Sequence, residues 1–231
     1  MLTIYGDYRA LKPENELPRL FSQKAYAGVR ELRIVPVVYF EALALAAFFP
    51  ILWRRSESGM MELVALRSIG LTAPPLAEVA LPLILRSYPM RKYVGERAEF
   101  VPCMDLTPAD QADNVGAPVF DASNDFTTAA RQRIRSLFLF DRNMADTEAM
   151  GRTLVERDML MEWDLKTRVK EAADLEGDFF ALKTAATIPS TFGFLERHQQ
   201  KGANLMVAHR LSMYRTGTLL RGTGKAKATG S

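Results

Sequence analysis

The stretch from Val35 to Trp53 is the longest apolar run in the chain, and Pro36, Glu41 and Pro50 interrupt it. Those three residues limit what it can become. Pro36 suits the first turn of a helix, where its missing N–H is not needed. Pro50 stops a helix at Phe49, because the residue before a proline avoids the helical region. The predicted helix Val37–Phe49 is about 13 residues long, against the roughly 20 that a bilayer crossing requires. A carboxylate near the middle of a spanning segment would also be costly. The run therefore reads as a core helix of a water-soluble body, with no transmembrane segment. Its apolar residues lie on nearly all sides, so burial on most faces is expected.

A chain of 231 residues fits one large domain or two small ones. With 48% apolar and 25% charged residues it has the balance of an ordinary globular protein. It is long enough to bury about 70% of its unfolded surface without a metal or disulfide staple. Cys103 is the single cysteine, which excludes an internal disulfide framework. A reducing compartment is the simple reading. Met1–Asp7 shows no basic region followed by an apolar core, so a cytoplasmic location is expected.

Charge is unevenly placed. Arg197, Lys201, Arg210, Arg215, Arg221, Lys225 and Lys227 are seven bases after residue 196, with no acid among them. Residues 1–196 hold the other 23 bases and all 27 acids, a net of −4. Arg210, Arg215, Arg221, Lys225 and Lys227 are therefore candidate contacts for nucleic acid or an anionic surface. The competing reading is a solvated helix face followed by a mobile tail over 222–231, since no aromatic platform accompanies the charges.

The rest of the chain alternates short strands and helices. Ile51–Arg55 and Met61–Ile69 flank Glu57-Ser58-Gly59 and predict a hairpin. Ala77–Arg86 reads as a short helix interrupted by Pro82, and Glu99–Met104 as a strand. Thr107–Pro118, with its Pro, Asp, Asn and Gly, is a loop and the best internal boundary within a single domain spanning 1–221. Asn124 or Asp125 is placed to cap a helix Phe126–Asp141. Its Phe126, Ala130, Ile134 and Leu137 face a core, and Arg131, Arg133 and Arg135 form a solvated side. Asp146-Thr147-Glu148 opens a further helix. Alternation from Met161 to Lys170 predicts a half-exposed strand, with Phe179–Thr184 as its antiparallel partner. Ser190 caps a helix ending near Gly202, and a last helix runs from about Ala203 to Leu220. The expected class is α+β: a mainly antiparallel sheet, the Val37–Phe49 helix packed on it, and several helices toward the C-terminus.

Familiar chemistry is thinly represented. His198 and His209 are the only histidines and fall on different predicted helices; with no His-x-x-x-His or paired-cysteine spacing, neither metal nor cofactor is expected. His209, between Val207-Ala208 and Leu211, reads as a hydrogen-bonded packing residue. No Gly-x-Ser-x-Gly elbow exists, and Cys103 after Pro102 reads as a buried, inert thiol. Gly222-Thr223-Gly224-Lys225 has no strand before it and is no phosphate loop. Glu162 and Asp164 share one predicted strand face about 7 Å apart, as solvated carboxylates usually do. No catalytic residue is assigned.

Certain segments, taken in order, carry a likeness. They are Val35-Pro36-Val37 with Glu41, the Pro50 stop, Leu85-Arg86-Ser87-Tyr88-Pro89, and Phe100-Val101-Pro102-Cys103-Met104-Asp105. Pro118-Val119-Phe120-Asp121, Gly202-Ala203 and Ala208-His209-Arg210-Leu211-Ser212 complete the series. In this order the chain, over roughly residues 30–221, resembles the bacterial SapC family. The resemblance implies a single-domain protein associated with paracrystalline surface layers, with no accepted catalytic mechanism and no catalytic residues to carry over. Arg86, Tyr88, Pro89, Asp105, His209 and Ser212 keep the family's look. The first thirty residues diverge, and Ala122-Ser123-Asn124 lacks an expected glycine.

Three functions follow as expectations. The first is a non-enzymatic accessory protein with a protein partner at the envelope or surface layer. The second is an enzyme or enzyme partner using Arg86, Tyr88, Asp105 and His209, which would have to converge on one site. The third is anionic-polymer or membrane-surface binding through the basic C-terminal region.

Overall fold

The structure, a computed structural model, describes residues 6–56, 59–69, 80–94, 100–168, 172–184, 186–217 and 219. Its strands are β1 (Tyr8–Ala10), β2 (Ile34–Pro36), β3 (Ile51–Arg55), β4 (Met61–Leu66), β5 (Met90–Val94), β6 (Phe100–Asp105), β7 (Leu160–Glu162) and β8 (Asp178–Leu182). Its helices are α1 (Ala27–Glu31), α2 (Tyr39–Leu45), α3 (Leu83–Ser87), α4 (Thr128–Glu156), α5 (Leu165–Arg168) and α6 (Ile188–Ser212). The class is α+β, and every strand pairing is antiparallel. The chain divides into two compact units, residues 1–32 with 75–142 and residues 33–74 with 143–231; the predicted boundary loop 107–118 lies inside the first.

The first unit holds a three-stranded sheet in the order β1-β6-β5. Tyr8 pairs with Asp105, and Met90 with Met104. Tyr26 and Tyr88, both buried, meet edge to face with centroids 4.8 Å apart. Ala130 and Leu137 of α4 are buried, as their spacing predicts. Arg133, expected on a solvated side, is instead half-buried and donates to the carbonyls of Tyr88 and Phe21. Thr127, not Asn124 or Asp125, caps α4: its Oγ1 accepts from Ala130 N–H at 3.3 Å. Asp121 instead takes the Ser123 and Asp125 N–H groups and closes the preceding turn.

The second unit holds a five-stranded sheet in the order β2-β4-β3-β8-β7. β3 and β4 form the predicted hairpin, with Trp53 opposite Leu63. Successive residues on a strand face opposite sides. Ile51, Trp53, Leu63 and Ala65 meet α2, α6 and the end of α4, while Leu52, Val64, Leu66 and Phe179 meet Leu165 and Leu175. Both faces are covered there, which is why Ile51-Leu52-Trp53 and Leu63-Val64-Ala65-Leu66 are continuous apolar runs.

Four local expectations change. Ile34–Pro36 is a strand, and Pro36 sits opposite Val64 on the sheet edge, where a residue without N–H is tolerated; the helix starts only at Tyr39. The helix predicted over Phe126–Asp141 and the further one opened by Asp146-Thr147-Glu148 are one 29-residue helix, because nothing between Asp141 and Thr147 breaks it and Thr147 Oγ1 folds its own donor back on Asn143 O. The strand predicted over 161–170 ends after Glu162, since Leu165 N–H turns back to Trp163 O and α5 begins; its last two positions, 169–170, lie outside the described residues. Glu162 and Asp164, both exposed, thus do not share a strand. Finally, Ile188–Ser212 (α6) is two helical segments joined across a kink at Gln199 (φ 50°, ψ −136°), so the predicted break is present but falls three residues before Gly202. Thr187 caps it, accepting from Ser190 N–H, and Gly202 lies inside.

Candidate functional site

Tyr88 and Asp105 of the first unit stand together. The Tyr88 hydroxyl lies 3.4 Å from Asp105 Oδ1, and both residues are buried. Asp105 sits at the end of β6, where its carboxylate also accepts from Gly6 N–H at 2.6 Å and Thr107 N–H at 2.8 Å. Burial, followed by the Asp105 charge, pushes the Tyr88 phenol up from its ordinary range. A phenol held protonated against a carboxylate saturated with backbone donors makes a firm loop anchor and a poor proton carrier. Arg86, one residue before Ser87, turns away and donates Nε–H to Leu81 O at 2.6 Å.

His209 belongs to the second unit. It is 1% exposed. Its Nδ1 lies 2.7 Å from Ile51 O, an acceptor, so Nδ1 carries the proton; Nε2 accepts from Leu182 N–H at 3.1 Å. Trp53 pairs with Phe180 on β3 and β8, so Ile51 and Leu182 stand opposite each other two positions further along that register. The imidazole takes the place of the ladder bond there. Ser212, one turn on, receives Ile51 N–H on its Oγ at 2.9 Å, and that hydroxyl donates to His209 O. The last turn of α6 thus holds both backbone groups of Ile51. Burial lowers the His209 pKa to about 4, so the ring is neutral at ordinary pH. His198, its pKa also lowered by burial, bonds Thr153 Oγ1 at 2.9 Å. An open cleft of about 570 Å³ adjoins His209, lined by Glu162, Trp163, Arg210, Leu211 and Tyr214 among others.

Of the basic C-terminal candidates, Arg210 donates to Lys183 O at 2.7 Å and Arg215 is exposed. Arg221, Lys225 and Lys227, with the 222–231 tail, lie outside the described residues. Cys103 is buried, which raises its thiol pKa. Among the described residues no three potential ligands gather to hold a metal ion, and no helix is long and apolar enough to cross a membrane.

The feature that the sequence reading missed is the outer face of α2. Ala42 and Leu45 pack into the core, yet Phe40 is 58% exposed, Leu43 46% and Phe48, in the turn that follows, 45%. Ala44 and Ala47 are exposed beside them. The spacing 40, 43, 44, 47, 48 is one side of a helix. That stripe was visible in the sequence, but an equally apolar opposite side hid it. The backbone presenting it is well fixed: Glu41 accepts from Val38 N–H at 3.2 Å, and Thr147 Oγ1 from Tyr39 N–H at 3.1 Å.

No curated protein and no solved structure matches the chain. The SapC family model matches residues 19–213, which takes in α1, both sheets save β1, and α6. The segments named above and this match over most of the length make the chain a member of the SapC family.

Proposed function

We propose that this protein is a non-enzymatic accessory protein that docks a protein partner of the bacterial envelope or surface layer through the outer face of α2. The observation that carries the reading is the row of Phe40, Leu43 and Phe48, left in water on a helix whose other face is packed. Exposed apolar groups in a continuous patch mark interaction surfaces, and aromatic residues concentrate at the centres of interfaces. Family membership supports the envelope as the place to look. The polar residues that favoured an enzyme are engaged by backbone: Asp105 accepts from Gly6 and Thr107 N–H, and His209 donates to Ile51 O and accepts from Leu182 N–H.

The test is co-purification from the source cells, comparing the native protein with a Phe40→Asp/Leu43→Asp variant. An envelope protein retained by the first and lost by the second is the expected result. Identical retention by both, or retention of no envelope component, contradicts the reading.

A further inference from the structure

The first unit contains a second cleft, of about 510 Å³, between one face of α4 and the α3 region. Ordinary small-molecule sites occupy about 300–1,000 Å³. Arg86, Arg133 and Arg135 line it, and no carboxylate does. Leu83 and Leu139 supply an apolar wall, and Gln132 a neutral polar group. On α4 the lining residues Gln132, Arg133, Ser136 and Leu139 recur at the spacing of a single helix face.

The charges are not spent on each other or on acids. Arg133 is the half-buried member: its two terminal nitrogens donate to Tyr88 O and Phe21 O, which fix it in place but leave its charge uncancelled. No ion pair involves it among the described residues. Burial without an acidic partner lowers its pKa. Arg86 uses its Nε on Leu81 O and Arg135 is exposed on the rim; among the described residues neither the two terminal nitrogens of Arg86 nor the Arg135 guanidinium has a hydrogen-bond or ion-pair partner. A desolvated guanidinium without a counter-charge is costly, and an incoming anion removes that cost. Guanidinium groups present their donors in the planar fork that carboxylate and phosphate oxygens fit.

We infer that this cleft binds a small organic oxyanion, a phosphate or carboxylate carried on a short apolar group. Arg86 and Arg135 contact the anion, Arg133 supplies a fixed positive charge beneath it, and Leu83 and Leu139 cover the apolar part. This site is independent of the α2 face and stands or falls without it.

Titration calorimetry of the full chain with octyl phosphate below its micellar concentration tests the inference. Octyl glucoside and inorganic phosphate serve as comparisons. Saturable binding of octyl phosphate is expected, at least tenfold tighter than inorganic phosphate, with none for octyl glucoside. Arg135→Glu should weaken it tenfold or more. Arg131→Glu makes the same charge change on the same helix outside the cleft, and should stay within about twofold. Both positions are exposed and without an ion pair among the described residues, so both variants should fold. A sedimentation arm with phosphatidylglycerol vesicles separates the sources: Arg135-dependent sedimentation assigns the anion to a lipid headgroup, and its absence to a soluble molecule. No saturable binding, equal affinity for inorganic phosphate, or equal loss in both variants overturns the inference.

Discussion

Glu41 and His209 show how a polar side chain earns its place inside an apolar stretch. Glu41 argued against a membrane span; in the fold it is 8% exposed and closes the N-terminus of α2 through Val38 N–H. A carboxylate there also meets the positive end of the helix dipole. The packing role of His209 was legible because its flanking residues are apolar, but its partners were not. Ile51 is 158 residues away, and no local pattern encodes such a meeting. The neutral ring has a measurable consequence. The folded pKa of about 4 lies below the ordinary value of 6.5. The stability it supports is therefore full above about pH 6.5 and is lost as the pH falls toward 4, on the order of 3 kcal/mol in all. His209→Gln should be less stable than the native protein in urea at pH 7, and the gap should narrow steadily toward pH 4. A gap that stays constant over that range would contradict the assigned proton position. Arg133 was the opposite case: charge and spacing on a helix suggested solvent, and only the carbonyls of Tyr88 and Phe21 reveal its inward position.

Elements were legible where one periodicity dominated. β3 and β4 carry the apolar runs Ile51-Leu52-Trp53 and Leu63-Val64-Ala65-Leu66 on either side of a turn; β3 forms with the bounds read, and β4 ends at Leu66 rather than Ile69. Element ends were harder, because tertiary contacts decide them. Gly202 reads as a helix stop, yet the break falls at Gln199 and Gly202 lies in the second segment of α6, where two side chains crowd it: a Cβ there would stand 2.9 Å from His198 Cβ and 2.9 Å from the Phe194 ring. Gly202→Ala should therefore cost about 1–3 kcal/mol through overpacking, seen as a lower Tm. An unchanged Tm would show that α6 is looser there. The strand predicted from Met161 onward failed for a related reason. β8 pairs with the three residues of β7 and takes one more bond from Trp163 N–H to Phe179 O, and beyond it the chain curls into α5 to bury Leu165. α2 tests the assignment of its two faces. Leu45→Ala should cost about 2–5 kcal/mol in urea unfolding, as a core truncation does. Phe40→Ser and Leu43→Ser should each stay within about 0.5 kcal/mol, as exposed positions do. Equal costs on the two faces would refute the assignment.

The division into two units was the least legible property. The first unit joins residues 1–32 to 75–142, and its sheet pairs Tyr8 with Asp105, so no composition shift marks its edges. A loop such as Thr107–Pro118 is conspicuous in sequence because turn residues are conspicuous, not because a boundary runs through it. The class, by contrast, was readable from alternating short strands and helices, and the family from the order of its segments. What the sequence conveyed of function was mostly exclusion. The positive content comes from surfaces that the fold sets apart: an apolar helix face left outside in one unit and an arginine-lined cleft in the other. The central claim is that the α2 face meets an envelope protein. Its most direct test places a photo-crosslinking residue at Phe40, with the same residue at the 85% exposed Ile188 as control, in the source cells. Illumination is expected to yield one discrete adduct with an envelope protein from position 40 and none from position 188. No adduct at position 40, or the same set of adducts from both positions, would contradict the account.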